Sequence, residues 1–589
     1  MRTDDSYRSI GRVTSMTADE FTIELHHRLN HFTTVGFDDI HYLAQIGSFV
    51  MIPLLSDYIV TEIVELWEKD PTNRSPIQEE NTHKFTKTTS TKYLKVIPLG
   101  TLPKDIEKEF CSGISAFPSL YTEALYILDK ELDRIFNVKD EKEDKKKGQQ
   151  EEAKKYITIG TSTVFEKYDI KIRLDDYFGG HSAILGNTGS GKSCTMAAVL
   201  QSLFEKEPQN ATFIIFDVHG EYKQAFDPPC PFSSIISYKS IKSSQEDKED
   251  NIFTLPPHFL SFEEWASLLR PSEGVQKPVL RETLKLAHQF RDKKSNGVEI
   301  TENLIHSCNY KISEEPFNLN DLKEALEAYI NYKDTKKGGS GGNYSSNSSN
   351  CTTMMTRLES VISREDFSFL TLQNDQDKSE KFIKDLLGFT DENKKQHQII
   401  ILDLQEASDE ALGLISAVLA RLVFEWIRNS NKKNRPIHFI LDEAHRYIPE
   451  KFSFNFNNDS SPQSTHIHTY DTLERLAKEG RKYGIFLQVI SQRPSELSKT
   501  VLSQCSNFII HKIQNPDDLR YIRQMTPYIS ESITKRLPSL PQRHALVFGN
   551  AINLPVTVKM READPPTASD DVKVSQTWFS TQDKAKQSN

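Results

Sequence analysis

Eight consecutive residues constrain this chain more than any others: Gly186-Asn187-Thr188-Gly189-Ser190-Gly191-Lys192-Ser193. They fit GxxxxGK[ST] in full, between the apolar run SAIL and the helix-like SCTMAAVLQSLF. That strand-loop-helix context is what the pattern requires. Glycines let backbone N–H groups close around phosphate oxygens, and the helix start adds the positive end of its dipole. Lys192 is placed to bridge β- and γ-phosphates and the Ser193 hydroxyl to ligate Mg²⁺, with Cys194 closing the nucleotide-binding stretch. The reading is an ATP site with Mg²⁺, which calls for an α/β sheet around it.

A nucleotide hydrolase also needs acids at the end of a buried strand. Ile437-His438-Phe439-Ile440-Leu441-Asp442-Glu443 supplies them, Asp442 toward the Mg²⁺ hydration shell and Glu443 to polarise the attacking water. Ile485 to Ile490 ends in Ser491-Gln492-Arg493-Pro494, where Gln492 can donate an amide hydrogen to a γ-phosphate. Upstream, Arg475, Lys478 and Arg481 or Lys482 recur at helical spacing along one face. One arginine of this region, among Arg475, Arg481 and Arg493, is expected to reach the nucleotide of a neighbouring subunit. The alternative for the stripe is a solvated basic face.

Asp217-Val218-His219-Gly220-Glu221-Tyr222 closes the strand after the phosphate loop's helix. Asp217 and Glu221 lack further carboxylates at nuclease spacing, so they are read as support for the ATP site. His219 is read as a hydrogen-bonding turn residue, and His466 with His468 as ordinary loop polar residues, not metal ligands.

The flanking sequence sets the architecture. RSIGRVTSM, EFTIELH, GSFVMIP, DYIVTEIVEL and KYLKVIPLG alternate apolar and polar residues and predict a small N-terminal β-barrel. From Tyr156 the pattern becomes α/β, with strand-length runs at 212–218, 399–404, 437–443, 485–490, 508–513 and 545–549 that predict a largely parallel, doubly covered sheet. We expect a barrel with a charged linker over 1–155, the P-loop ATPase core over 156–229 and 396–563, an inserted helical subdomain over 230–395, and a polar tail over 564–589. The mixed charge run at 138–155 and the glycine-serine run at 336–350 read as insertions.

At 589 residues the chain has room for about four domain-sized units. The net charge of −10 means that any DNA-binding surface is a local patch. Six scattered cysteines, of which Cys194 and Cys230 are the nearest pair, exclude a CxxC or zinc-ribbon pattern. The most apolar long stretch, Ala411 to Ile427, contains Arg421 and Glu425 and predicts a core helix instead of a membrane span. Asp4 and Asp5 stand where a signal peptide is basic, so a cytoplasmic protein is expected.

GNTGSGKS, DVHGEY, ILDEAHRYIP, EGRKYGI and SQRP, in this order behind a β-barrel, resemble the HerA family of ring-forming DNA translocases, relatives of FtsK. The resemblance implies a HAS-type barrel, a RecA-like ATPase with a helical insertion, and a homohexamer that pumps duplex DNA through its pore with ATP. It implies the roles given above for Lys192, Ser193, Asp442, Glu443 and Gln492, and it favours Arg481, within EGRKYGI, as the trans-acting arginine. It also implies a separate effector, a NurA-like or other nuclease or a sirtuin-like NAD hydrolase, in DNA end processing or antiphage defence. Two other classes stay open: an ATP-gated scaffold ring with little pumping of its own, and a conjugation or secretion ATPase.

Overall fold

The computed structural model describes residues 5–26, 33–35, 40–42, 45–69, 91–136, 155–165, 168–241, 251–291, 315–337, 347–372, 378–388, 397–430, 435–450, 464–525, 534–568 and 578. Most of the 138–155 run, most of the 336–350 run and the side chains of His466 and His468 lie outside them. Backbone contacts divide the chain into two compact units, Met1–Tyr177 with Ser506–Arg561, and Phe178–Cys505 with Glu562–Asn589.

The first unit holds the barrel. Its strands are β1 (Ser9–Met16), β2 (Phe21–Leu25), β3 (Phe49–Pro53), β4 (Asp57–Lys69), β5 (Thr91–Pro103) and β6 (Glu123–Tyr126). They pair antiparallel in the order β2-β1-β6-β3-β4-β5, and β5 returns to β2 to close the ring. Closure removes the exposed edges of an open sheet. The period-2 pattern aims Phe21, Ile23 and Leu25 inward, against Val13, Ile52 and Ile63. All five predicted runs are strands; β6 was missed because only EALY, four residues, carries it. The same unit also holds an antiparallel run of strands, β7 (Tyr156–Ser162) and β8 (Asp169–Arg173) with β15 (Cys505–Ile510), β16 (His544–Gly549) and β17 (Val556–Met560) from later in the chain, in the order β8-β7-β17-β16-β15. The runs predicted at 508–513 and 545–549 are therefore antiparallel, a correction to the largely parallel sheet expected. The first of them also begins at Cys505 and stops at Ile510.

The second unit is built on six parallel strands, β9 (His181–Leu185), β10 (Thr212–Asp217), β11 (Ile236–Ser240), β12 (Ile399–Asp403), β13 (Ile437–Leu441) and β14 (Ile485–Ser491), in the order β9-β14-β13-β10-β12-β11. Central strands such as β10 and β13 are buried at every position, which is why they read as unbroken apolar runs. Strand β11 falls inside the region expected to be helical. The rest of that region, where described, carries helix α2 (Phe262–Leu269) and helices at Gln276–Leu286, Leu319–Lys337, Asn347–Ser363 and Ser379–Leu386, with turns and irregular segments between them.

The phosphate loop feeds helix α1 (Lys192–Phe204), and the apolar stretch at 411–427 lies within helix α3 (Asp409–Ser430). Arg421, midway along α3, makes a two-pronged contact with Glu264 of α2 at 2.8 Å for each prong and donates to the Phe259 carbonyl at 2.6 Å. Glu264 also caps its own helix through Ser261. A half-buried guanidinium matched in this way is tolerated on a core helix. Among the described residues no helix is long and apolar enough to cross a membrane. Helix α4 (Ser464–Glu479) ends before Arg481, so the basic stripe does not continue along it; Arg481 and Lys482 belong to a single 3-10 turn, Gly480–Tyr483, closed by Gly484 at φ 74°.

Candidate functional site

Parallel pairing brings the predicted residues together. Leu185 lies beside Ser491 and Phe216 beside Leu441, so the ends of β9, β14, β13 and β10 share one edge of the sheet. The phosphate loop leaves that edge from β9, Asp442 and Glu443 from β13, Gln492 from β14, and the 218–222 turn from β10. This is the carboxyl-end edge at which open α/β sheets bind ligands.

Gly191, at φ 103°, precedes α1 in a conformation that only glycine adopts without strain, and the helix's first N–H groups face outward from it. Lys192 is 8% exposed and donates to the Asn187 carbonyl at 3.2 Å. Burial lowers its pKa, opposed by the carboxylates of Glu443, Asp442 and Glu221. Thr188 donates its hydroxyl to Gln492 Oε1, which leaves the amide nitrogen of Gln492 as that side chain's donor. Ser193 and Cys194, in the first turn of α1, are half-buried.

Asp442 is 2% exposed, and burial with the nearby charges of Asp217, Glu443 and Glu221 raises its pKa well above the usual range. Its Oδ2 and the Ser190 hydroxyl are buried without a hydrogen bond among the described residues. An orphaned carboxylate oxygen beside Ser193 and a buried lysine fits a Mg²⁺-bound triphosphate, whose charges would satisfy all three. Among the described residues no group of three or more His, Cys, Asp or Glu could hold a metal ion. A cation held by Ser193, Asp442, water and phosphates needs no such cluster.

Glu443 is 5% exposed and sits at φ 49°, a left-handed conformation that glutamate rarely adopts. Burial would raise its pKa, but contacts with His219 and His445 and the charge of Lys192 win, holding it at about 2. His219 Nε2 lies 3.6 Å from Oε1 and His445 Nδ1 lies 3.2 Å from Oε2. That contact with Glu443 raises the His219 pKa against the effect of burial. Asp217 is fully buried and accepts the backbone N–H groups of Glu221 at 3.1 Å and Tyr222 at 3.0 Å. It braces the turn, and burial lifts its pKa to about 6. Gly220, at φ 69°, lets Gln405 pack against that turn and donate to the His219 carbonyl.

Of the three candidate arginines, Arg475 is 3.4 Å from Glu479 and over the Phe424 ring, and Arg493 is 2.6 Å from Glu496. Arg481 is exposed, and among the described residues its guanidinium has no ion-pair partner. It precedes β14, whereas Gln492 follows it; seven strand residues span about 20 Å. Burial lowers the pKa of His181 at the start of β9, and the Arg481 charge adds to that shift. The phosphate loop and Arg481 thus occupy opposite edges of one sheet.

Sequence reasoning missed His445, Ser491 and Gln405 as site residues. Within ILDEAHRYIP only the two acids have a role that the sequence implies, and nothing local marks a histidine as the neighbour of the carboxylate two positions before it. The start of the tail was also unplaced: Asp564 donates its backbone N–H to Gln201 Oε1 at 2.8 Å, and Ala568 donates to the Glu221 carbonyl at 3.0 Å.

Residues 157–423 match the family described as Helicase HerA, central domain. The chain is 27% identical over 422 residues to a DNA double-strand break repair helicase HerA of Sulfolobus acidocaldarius, covering 70% of each protein. It is 25% identical over 428 residues to the protein of that name from Pyrococcus furiosus, covering 69% of each. Among solved structures, VirB4 of Thermoanaerobacter pseudethanolicus is similar at 16% identity and TM-score 0.43, covering 69% of this chain and 96% of that one. Residues 157–423, with the phosphate loop after β9, are thus similar to the central domain of HerA helicases, and the paired acids at the end of β13 complete the site of an ATP-hydrolysing enzyme.

Proposed function

We propose that the chain assembles into a homohexameric ring that hydrolyses ATP at sites shared between neighbours and uses the turnover to move along duplex DNA, working with a separate effector enzyme. The position of Arg481 carries this reading. An exposed arginine on the edge opposite its own phosphate loop serves a nucleotide only if that nucleotide belongs to another subunit. DNA as the track rests on the relatives, whose names are those of DNA repair helicases.

In this mechanism the loop N–H groups and Lys192 hold the β- and γ-phosphates, while Gln492 donates its amide hydrogen to the γ-phosphate. Ser193 and, through water, Asp442 would hold a magnesium ion, which would supply positive charge against the phosphates. Glu443, ionised throughout the neutral range, accepts a proton from water as the water oxygen bonds to the γ-phosphorus and the bond to the bridging oxygen breaks. The neighbour's Arg481 neutralises charge on the transferring oxygens. The released proton passes on to the phosphate product.

Mixing separates shared sites from self-contained ones. Lys192→Ala and Arg481→Ala chains should each be inactive, and under demonstrated subunit exchange the mixture should regain ATPase activity, because about a quarter of random interfaces combine two intact halves. No recovery from Arg481→Ala, with recovery from Arg493→Ala or Arg475→Ala instead, would move the finger. Duplex DNA should raise the rate of the wild-type ring, with binding that weakens steeply with salt. A rate indifferent to DNA would favour the scaffold reading.

A further inference from the structure

We propose that His219 and His445 form a two-sided clamp that positions the carboxylate of Glu443, and that this clamp is anchored through Ser491 to the strand end carrying Gln492. The proposal rests on Glu443 being the group that accepts the water's proton. Each oxygen of that carboxylate faces one imidazole, Nε2 of His219 at 3.6 Å and Nδ1 of His445 at 3.2 Å. Neither approach is a finished hydrogen bond: the first is long, and Oε2 is buried without a complete one. Catalytic hydrogen bonds commonly tighten only when substrate arrives. A carboxylate has about four lone-pair directions, so two histidine donors still leave room for water.

The anchoring is specific to each ring. Ser491 Oγ accepts the Arg493 backbone N–H at 3.0 Å and lies 3.3 Å from His445 Nδ1. A hydrogen on Nδ1 therefore suits both acceptors near it, Ser491 Oγ and Glu443 Oε2, and sets the tautomer. Because Ser491 is followed at once by Gln492, a shift of Gln492 toward a γ-phosphate would carry Ser491 and His445 with it. On the other side, His219 sits in the turn braced by Asp217 and Gln405, half-exposed, so its ring can follow the carboxylate. Glu443 itself starts from the left-handed backbone that aims it between the two rings. The histidines act through Glu443 and touch no reacting atom, which makes them positioning residues.

The distinguishing experiment uses amide mimics in the full-length chain. Glutamine places its amide nitrogen where Nε2 of histidine lies, and asparagine places its own where Nδ1 lies. His219→Gln and His445→Asn keep the donor on the correct side, whereas His219→Asn and His445→Gln misplace it. The misplaced pair should lower kcat by about ten-fold or more, a share of what a positioned base contributes, and the matched pair should recover most of it. ATP affinity, measured with a fluorescent analogue, and the melting midpoint should hold in all four. Equal losses in matched and mismatched variants, a fall in melting midpoint that tracks the loss, or four unchanged rates would each overturn the clamp. Glu443→Gln, assayed alongside, separates the two ideas: if it hydrolyses ATP normally the assignment of Glu443 fails, and if it is inactive the histidine variants alone decide.

Discussion

The two edges of the parallel sheet in the second unit are made from the same strands and have opposite chemistry. At the carboxyl ends of β9, β10, β13 and β14, charged groups are buried in numbers: Lys192, Asp442 and Glu443 are each under a tenth exposed. They hold one another's charge states, Glu443 kept ionised at about 2 by His219, His445 and Lys192. At the amino ends, the imidazoles of His181 and His438 are pushed by burial down to about 4 and about 3, hence neutral, and the buried Arg435 donates to the Thr212 hydroxyl at 2.8 Å. The turn entering β14 carries two exposed cations, Arg481 and Lys482, and the Arg481 guanidinium is the one suited to a phosphate's fork geometry. One edge is built to bind charge within the chain; the other leaves a charge unspent, for use on another molecule.

The harshest way to break this comparison is to remove that unspent charge. Arg481→Ala should cut ATPase activity by about 10³-fold or more while ATP binding and the melting midpoint hold, since among the described residues its exposed guanidinium has no ion-pair partner. Arg475→Ala, losing an ion pair 3.4 Å long and a contact with the Phe424 ring, and Arg493→Ala, losing an ion pair 2.6 Å long, should keep most activity. Equal losses from all three would mean that the turn matters as a fold element. On the opposite edge, Glu443→Gln should lower turnover by about 10²–10⁴-fold. It removes the proton acceptor and keeps the side chain's size, so nucleotide should bind and stay. A loss of ATP affinity would show Glu443 to be structural.

A smaller effect tests how Gln492 is used. Thr188 donates to Gln492 Oε1, which fixes the amide and turns its nitrogen to the outside. Gln492→Glu preserves the acceptor for Thr188 and deletes the donor, so turnover should fall by about 10²-fold, the usual cost of one donor to developing charge. Gln492→Ala with equal ATPase to wild type would reduce the residue to a strand cap.

The site was legible where chemistry is written locally. GNTGSGKS and ILDE state their context within a dozen residues, and the buried strands beneath them read as apolar runs because both faces are covered. What escaped depends on register between distant strands. His445 and Ser491 meet only because Leu441 pairs with Val489 two residues before Ser491, a fact of three-dimensional alignment. Strand β11 escaped for another reason: ISYKS is half-buried at all five positions, an edge strand without period-2 contrast, embedded among helices. The antiparallel turn of β15 and β16 was also illegible, since an apolar strand reads alike in either direction.

The mildest prediction concerns the neutral edge. His438 is sandwiched between Phe213, at 4.8 Å between ring centres, and Phe486, at 5.1 Å, and is 3% exposed. Its folded pKa of about 3 lies below the value of about 6.5 for an unfolded imidazole. The unfolded chain therefore binds the extra proton as pH falls below about 6.5, and stability is lost on the acid side of that value until the folded pKa is reached. Between pH 7.5 and pH 5.0 this one residue should cost about 2 kcal/mol, and His181 a similar amount. His438→Phe fits the aromatic stack and cannot titrate. It leaves the Gln488 amide short of its 3.4 Å contact with Nδ1, a penalty paid equally at both pH values. The stability difference between pH 7.5 and pH 5.0, from urea unfolding monitored on the second unit, should therefore shrink by about 2 kcal/mol in the variant. An unchanged difference would mean that His438 takes its proton while folded, and that the amino-end edge is not the neutral counterpart of the ATP site.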